Sequence, residues 1–226
     1  MWVLKMNGSL NVENIFQELK EVANSDDAVH MKAYMKNQFE FLGVKTPIRR
    51  KISKIVFKKN HNSTIDWDFI NQAWENPYRE MQYVVLDYLQ LKQTSLASND
   101  LTKVKELAQT KPWWDTIDFL SRSVGYICLH YPGTKKIVLD WSTDEDIWLR
   151  RLAIEHQLLQ KEQTDVLLLE QILLNNLEQT EFFINKAIGW ALRDYSKTNP
   201  DWVRDFIQMH KEGLTSLSIR EGSKYL

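Results

Sequence analysis

The chain has 226 residues, 43% apolar and 26% charged, a composition that suits one soluble globular domain with a sizeable core. Only 7 glycines and 5 prolines punctuate it, too few for a protein of strands and hairpin turns. Its single cysteine, Cys128, excludes an intramolecular disulfide or a cysteine-based zinc site, and its five histidines show no metal-ligand spacing. Lys5 interrupts the opening apolar residues, and no window approaches the ~18 consecutive apolar residues of a membrane span. The expectation is a cytoplasmic, all-α protein, residues 1–226 forming one domain, with no structural metal.

Read in chain order, apolar residues recur at helical spacing: Leu10, Ile15, Leu19 and Val22 come first. Residues 31–60 follow with nine Lys or Arg against the one acid Glu40, a charge of +8. The segments 1–30, 61–110 and 111–226 each carry −3, so the net charge of −1 hides one basic stretch in a mildly acidic body. That asymmetry suits either a phosphate-binding surface or an ordinary solvated helix face. Further apolar series run through Met81–Leu89, Ile147–Leu159 and Val166–Leu173. Breaks fall at Asn24–Asp27, Asn60–Thr64, Asn76–Pro77, Ser95–Asp100, Thr110–Pro112, Pro132–Gly133, Ser142–Asp144, Asn199–Pro200 and Gly213. Thr143 or Asp144, and Asn199 with Pro200 behind it, are expected helix N-caps. Roughly a dozen helices of ordinary length fit this pattern.

Three blocks share a layout: YREMQYVVLDYL (78–89), WLRRLAIEHQLL (148–159) and FFINKAIGWALRDY (182–195). Each opens on an aromatic residue, places a polar side chain soon after, and continues apolar. Their polar positions are Gln82, Arg151 and Lys186, and Asp118 falls on the same ladder, with spacings of 36, 33 and 35 residues. A period near 35 built of helix pairs is the mark of a HEAT-like α-solenoid. In a curved array of that kind, the four residues would be neighbours on one concave surface.

The stretch KPWWDTID (111–118) contains the most chemistry. Trp114 and Asp118 stand four apart and share a helix face, whereas Trp113 and Asp115 face elsewhere, as a core aromatic and a helix-start charge. Lys186, Trp190 and Arg193 likewise share a face. A carboxylate beside an indole on an inward face needs a partner or a use. Arg151 is the candidate partner, as a structural ion pair or as a neutraliser of a nearby phosphate. Indole faces attract cations, and a fixed carboxylate stabilises developing positive charge. The set suits a substrate that is cationic and becomes oxocarbenium-like, as an alkylated purine nucleotide in DNA does. A non-catalytic helical-repeat scaffold binding nucleic acid or protein is the alternative, with Trp114 and Trp190 as stacking platforms. A glycoside hydrolase fits poorly, because that chemistry wants two carboxylates about 5–10 Å apart and only Asp118 stands out.

Four segments, MKAYMKNQFEFLGVKTPIRR (31–50), KPWWDTID (111–118), IWLRRLAI (147–154) and FFINKAIGWALRDYSKTNP (182–200), resemble the signature blocks of the AlkD-type DNA alkylation repair glycosylases, in order and over nearly the whole chain. The resemblance implies an all-α, HEAT-like-repeat fold. It implies hydrolysis of the N-glycosidic bond of positively charged N3- and N7-alkylated purines in double-stranded DNA, without metal or cofactor; a monomer is expected because no exposed apolar stripe demands a dimer. It implies Asp118 as the catalytic aspartate, Trp114 and Trp190 as the aromatics cradling the lesion, and Arg151 against the backbone beside it. Tyr34, Lys45, Thr46, Arg50, Arg193 and Lys197 match positions in or near the DNA-contacting surface, and Lys186 joins them by sharing the face of Trp190.

Overall fold

The computed structural model describes residues 10–59 and 64–226. Lys5, His61, the side chain of Lys59 and all of the expected break at 60–64 except Thr64 lie outside the described residues. Thirteen α-helices and three short 3-10 segments occur among the described residues. The α-helices are α1 (Val12–Glu21), α2 (Ser25–Tyr34), α3 (Thr46–Lys59), α4 (Trp67–Glu75), α5 (Arg79–Leu91), α6 (Asp100–Gln109), α7 (Trp114–His130), α8 (Lys135–Trp141), α9 (Ile147–Glu155), α10 (Val166–Leu174), α11 (Phe182–Tyr195), α12 (Pro200–Met209) and α13 (Ser216–Gly222). The chain divides into two compact units, one running to Ser95 and the other from Leu96 to Leu226.

In the first unit, α5 packs against α3 and α4, and α1 packs against α3 and α4. Ile15, Leu19, Ile70, Met81 and Val84 are fully buried there. Phe57, Phe69 and Tyr88 join them in a triangle of rings with centroids 5.2 to 6.2 Å apart. The polar opening of α5 is structural. Glu80, with no exposed surface, accepts the backbone N–H groups of Leu42 (3.0 Å), Gly43 (2.8 Å) and Val44 (3.1 Å). It does for this loop what a strand partner or helix turn would otherwise do. Gly43 sits at φ +82°, and a Cβ there would lie 2.0 Å from the carbonyl oxygen of Asn24, so only glycine closes the turn without strain. Arg79 lies 3.7 Å over the ring of Phe39.

Gln82 does not line an open surface, contrary to the ladder expectation. It is fully buried and donates to the carbonyls of Trp74 and Asn76, both at 2.8 Å. Those carbonyls lie at the end of α4, where the helix supplies no internal donor, so an amide fills the gap. Asn185 repeats the device at the start of α11, donating to Gln179 and Glu181 carbonyls at 2.8 and 3.0 Å. The helical match of Gln82 in α11 is therefore Asn185, one residue before Lys186.

The second unit shows the repeat. α7 and α9 each pack against the helix before them, α6 and α8, whereas α10 packs against α8 and α9, and α9 packs against both α7 and α11. The three inner helices begin at Trp114, Ile147 and Phe182. Asn199 caps α12 as expected, accepting from Trp202 N at 3.1 Å with Pro200 at the first helical position. For α9 the cap is Asp146 rather than Thr143 or Asp144. Asp146 accepts from Trp148 N at 2.9 Å, and Asp144 accepts from Asp146 N at 2.9 Å, a turn that leads into the helix. The expected apolar run to Leu159 is cut at Glu155. Gln157 clamps the loop by bonding both the N–H and the carbonyl of Asp165 at 2.7 and 3.1 Å, and Leu159 turns to φ +68° with its N–H on Asp194 at 2.6 Å. No metal-binding group of three or more His, Cys, Asp or Glu occurs among the described residues, and none of their helices is long and apolar enough to cross a membrane.

Glu80→Ala should lower the unfolding free energy by at least ~2 kcal/mol, because three buried N–H groups lose their acceptor. Chemical denaturation of the variant beside the wild type measures it.

Candidate active site

Aromatic rings set the register of the three inner helices. Trp113 is the extended residue just before α7, and its ring lies 5.5 Å from Trp148 at the start of α9 and 5.3 Å from Phe183 at the start of α11. Trp148 and Phe183 are 5.0 Å apart, closing the cluster. Trp113 is thus a packing residue, and Asp115 sits buried in the first turn of α7, as the sequence suggests. With three helix starts pinned together, the next turn down brings Asp118 of α7 and Arg151 of α9 face to face.

Arg151 is 1% exposed. Its Nε and Nη2 donate to Asp118 Oδ1 at 3.0 and 2.7 Å, and its Nη1 donates to the Phe183 carbonyl at 2.6 Å. The guanidinium carbon is 5.3 Å from the Trp190 ring. Arg151 therefore binds and orients Asp118 rather than reaching out to solvent. A second carboxyl group, Glu155, lies one turn further along α9 with its Oε1 2.7 Å from the same Nη2. Glu155 has no exposed surface. Sequence reading passed over it, although an Arg and a Glu four apart on an inward helix face was a usable signal.

Burial pushes the Asp118 carboxyl above the usual aspartate range, and the charge and hydrogen bonds of Arg151 pull against that rise. Burial pushes Glu155 well above the usual range, again against the pull of Arg151.

Asp118 retains 19% of its side-chain exposure and lines a cavity of about 390 Å³ together with Trp190, Leu159, Arg193, Asp194 and Lys197. Trp114, the residue expected to share the face of Asp118, is half-buried at the start of α7 and does not line this cavity. The Trp190 ring collects cations: besides Arg151, Lys186 Nζ lies at 5.7 Å and the Arg193 guanidinium at 5.8 Å. Both of these are held by Glu221 of α13, at 3.0 Å each, and Lys224 approaches the same carboxylate at 2.9 Å. Hydrogen bonds from Lys224 and Lys186 bring the Glu221 pKa down to about 2. The approach of α13 depends on Gly189, where a Cβ would lie 2.5 Å from the Cβ of Glu221. Lys197 stands 3.9 Å from Asp194 and 5.0 Å from the ring of Tyr225.

A family model described as "DNA alkylation repair enzyme" matches residues 15–226. The chain belongs to that family. Among solved structures it is similar to a "Predicted DNA alkylation repair enzyme from Enterococcus faecalis", at 34% identity and a TM-score of 0.83, covering 90% of this chain and 96% of that one. It shares its fold with smu.31 from Streptococcus mutans UA159, at 13% identity and a TM-score of 0.57, covering 95% of this chain and 98% of that one. No curated protein matches.

In this alkylation repair family member, the other expected DNA-facing residues lie in the first unit. Tyr34 ends α2 and is 68% exposed. Lys45 pairs with Asp27 at 3.0 Å, and Thr46 opens α3 with its hydroxyl 3.5 Å from Arg49 Nη1. Asp87 takes both arginines of the basic segment, Arg49 at 3.1 Å and Arg50 at 3.1 Å. Lys32 pairs with Glu40. Beyond Glu40, already counted in the +8, Asp27 and Asp87 offset two of those charges. Lys51, Lys54 and Lys58 are exposed and pair with no acid among the described residues, and Lys54 and Lys58 line a cavity of about 540 Å³ with Arg50 and Phe57.

Arg151→Ala should destabilise the protein by about 3–5 kcal/mol, since it leaves buried carboxyl groups without their cation. Urea unfolding provides the measurement, and a change below about 1 kcal/mol would contradict the central place given to this side chain.

Proposed function

We propose that the protein is a monofunctional DNA glycosylase that hydrolyses the N-glycosidic bond of positively charged N3- and N7-alkylated purines and leaves an abasic site. The observation that carries this reading is Asp118, oriented by Arg151 at a cavity that also presents the Trp190 ring. An alkylated purine already bears the charge that a general acid would otherwise supply. As the C1′–N bond breaks, its electron pair neutralises the purine and positive charge moves to the sugar. The Asp118 carboxylate stabilises that charge and orients the water that attacks C1′, and the water's proton passes to the carboxylate or to solvent. Trp190 offers a π face to the cationic centre. The role given to Trp114 rests on the resemblance alone, because it stands outside the cavity.

Phosphates of double-stranded DNA are the natural ligands of Lys186, Arg193 and Lys197 beside the cavity. In the first unit they suit Tyr34, Lys45, Thr46 and Arg50, together with Lys54 and Lys58. The work belongs to base excision repair, carried out in the cytoplasm by a monomer. The Asp118–Arg151 pair itself favours one alternative, a non-catalytic nucleic-acid-binding repeat protein in which that pair is structural.

DNA carrying a defined N7-methylguanine, incubated with the protein and then cleaved at abasic sites, separates the two. Base release is expected from the wild type, and Asp118→Asn should slow the single-turnover rate by about 10²-fold or more. Binding without release would establish the scaffold reading. Wild-type turnover by Asp118→Asn would end the role assigned to the aspartate.

Charge reversal at Lys54 and Lys58 should weaken DNA binding across all sequences. It should also lower the slope of log K against log salt by about one for each phosphate that is no longer neutralised. The same change at Lys45 and Arg50 should do less, because each already has an acid partner. Titrations over a range of salt concentrations test both statements.

A further inference from the structure

One buried group at the site has no part in the mechanism above. Glu155 is fully enclosed, and neither of its oxygens receives a hydrogen bond of good geometry. Arg151 Nη2, at 2.7 Å from Glu155 Oε1, is already committed to Asp118 Oδ1 at the same 2.7 Å. One enclosed cation therefore faces two carboxyl groups, one of them, Glu155, with no exposed surface. Two buried carboxylates against one guanidinium would leave a net negative charge without compensation. A single proton removes it.

The burial of the two groups decides where that proton resides. Asp118 keeps contact with the cavity and accepts two N–H bonds, so its charged form is supported. Glu155 has neither advantage. Asp118 Oδ1 and Glu155 Oε1 each stand 2.7 Å from the same Arg151 Nη2, so the two carboxyl groups are neighbours across it. We propose that Glu155 is a positioning residue: it stays neutral, donates its O–H to Asp118, and fixes that aspartate as the charged member of the pair at the cavity. The role rests on the glycosylase reading for its catalytic meaning, but not for the protonation itself.

The charged groups acting on this pair are few. Arg151 lies on the same helix, Asp118 faces it from α7, and Asp115 acts on Asp118 from one turn earlier. From α11 the pair meets uncharged groups through Arg151, namely the Phe183 carbonyl and the Trp190 ring. Lys186 and Arg193 of that helix are bound by Glu221. With Glu155 holding a proton that the unfolded chain releases near pH ~4.3, the folded state binds more protons above that pH. Stability then falls as pH rises, until the folded group itself ionises.

The test compares wild type, Glu155→Gln and Glu155→Ala by two measurements. Thermal unfolding is followed from about pH 5 to about pH 9. Gln is neutral at every pH and keeps a donor, so the melting temperature of E155Q should gain on that of the wild type as pH rises. A difference that stays constant over the range overturns the protonated state. Single-turnover release of N7-methylguanine is then measured over the same range. E155A should lose about tenfold or more, E155Q should recover at least about fivefold over E155A, and the wild-type decline on the alkaline side should be absent in E155Q. An E155A rate equal to wild type, or no recovery in E155Q, overturns the positioning role. If the wild type releases no base, the glycosylase reading fails, and the melting comparison still decides whether Glu155 holds the proton.

Discussion

A guanidinium group taken out of water must find its acceptors in the protein. Arg151, on α9, finds them on the two helices beside it: a carboxylate on α7 and a backbone carbonyl at the start of α11. Those acceptors exist only if the three helices begin in register. The Trp113, Trp148 and Phe183 rings provide that register by packing at the three starts. The site is therefore an outcome of how the repeats stack, and the side chain that fixes Asp118 is also the one whose burial demands the stacking.

Much of this was legible in the sequence, but unevenly. Spacings of 33 and 35 residues brought Asp118, Arg151 and Lys186 to consecutive inner helices, because repeat period is a property of chain length per helix pair and survives sequence divergence. Gln82 fitted the same arithmetic yet is a buried cap. Period cannot tell whether a polar side chain at a helix start faces a backbone carbonyl or a surface, since both lie within one residue of each other around the helix. Glu155 escaped notice for a related reason. Buried acids are rare, so a glutamate reads as a surface residue until a three-dimensional neighbour shows otherwise.

The loop after α9 shows a different limit. Leu158 and Leu159 extend the apolar pattern of the helix, and local propensity alone would continue it. Gln157 and Asp194 override that preference, and Asp194 does so from 35 residues away. Likewise the excess of base over acid in residues 31–60 was plain, whereas the pairing of Lys45 with Asp27 and of Arg49 and Arg50 with Asp87 was not. Ion pairing across helices depends on which faces meet, and composition carries no record of that.

Glu221 has a further consequence. It already serves as counterion to Lys186, Arg193 and Lys224, so an incoming phosphate does not find those cations bare. Any anion that engages them must exchange with a carboxylate that belongs to the protein. Such an exchange yields less free energy than a first pairing, and it is reversible by a group that never diffuses away. For the DNA proposed as ligand, the last helix would be a tethered competitor at the rim, favouring quick departure over tight retention.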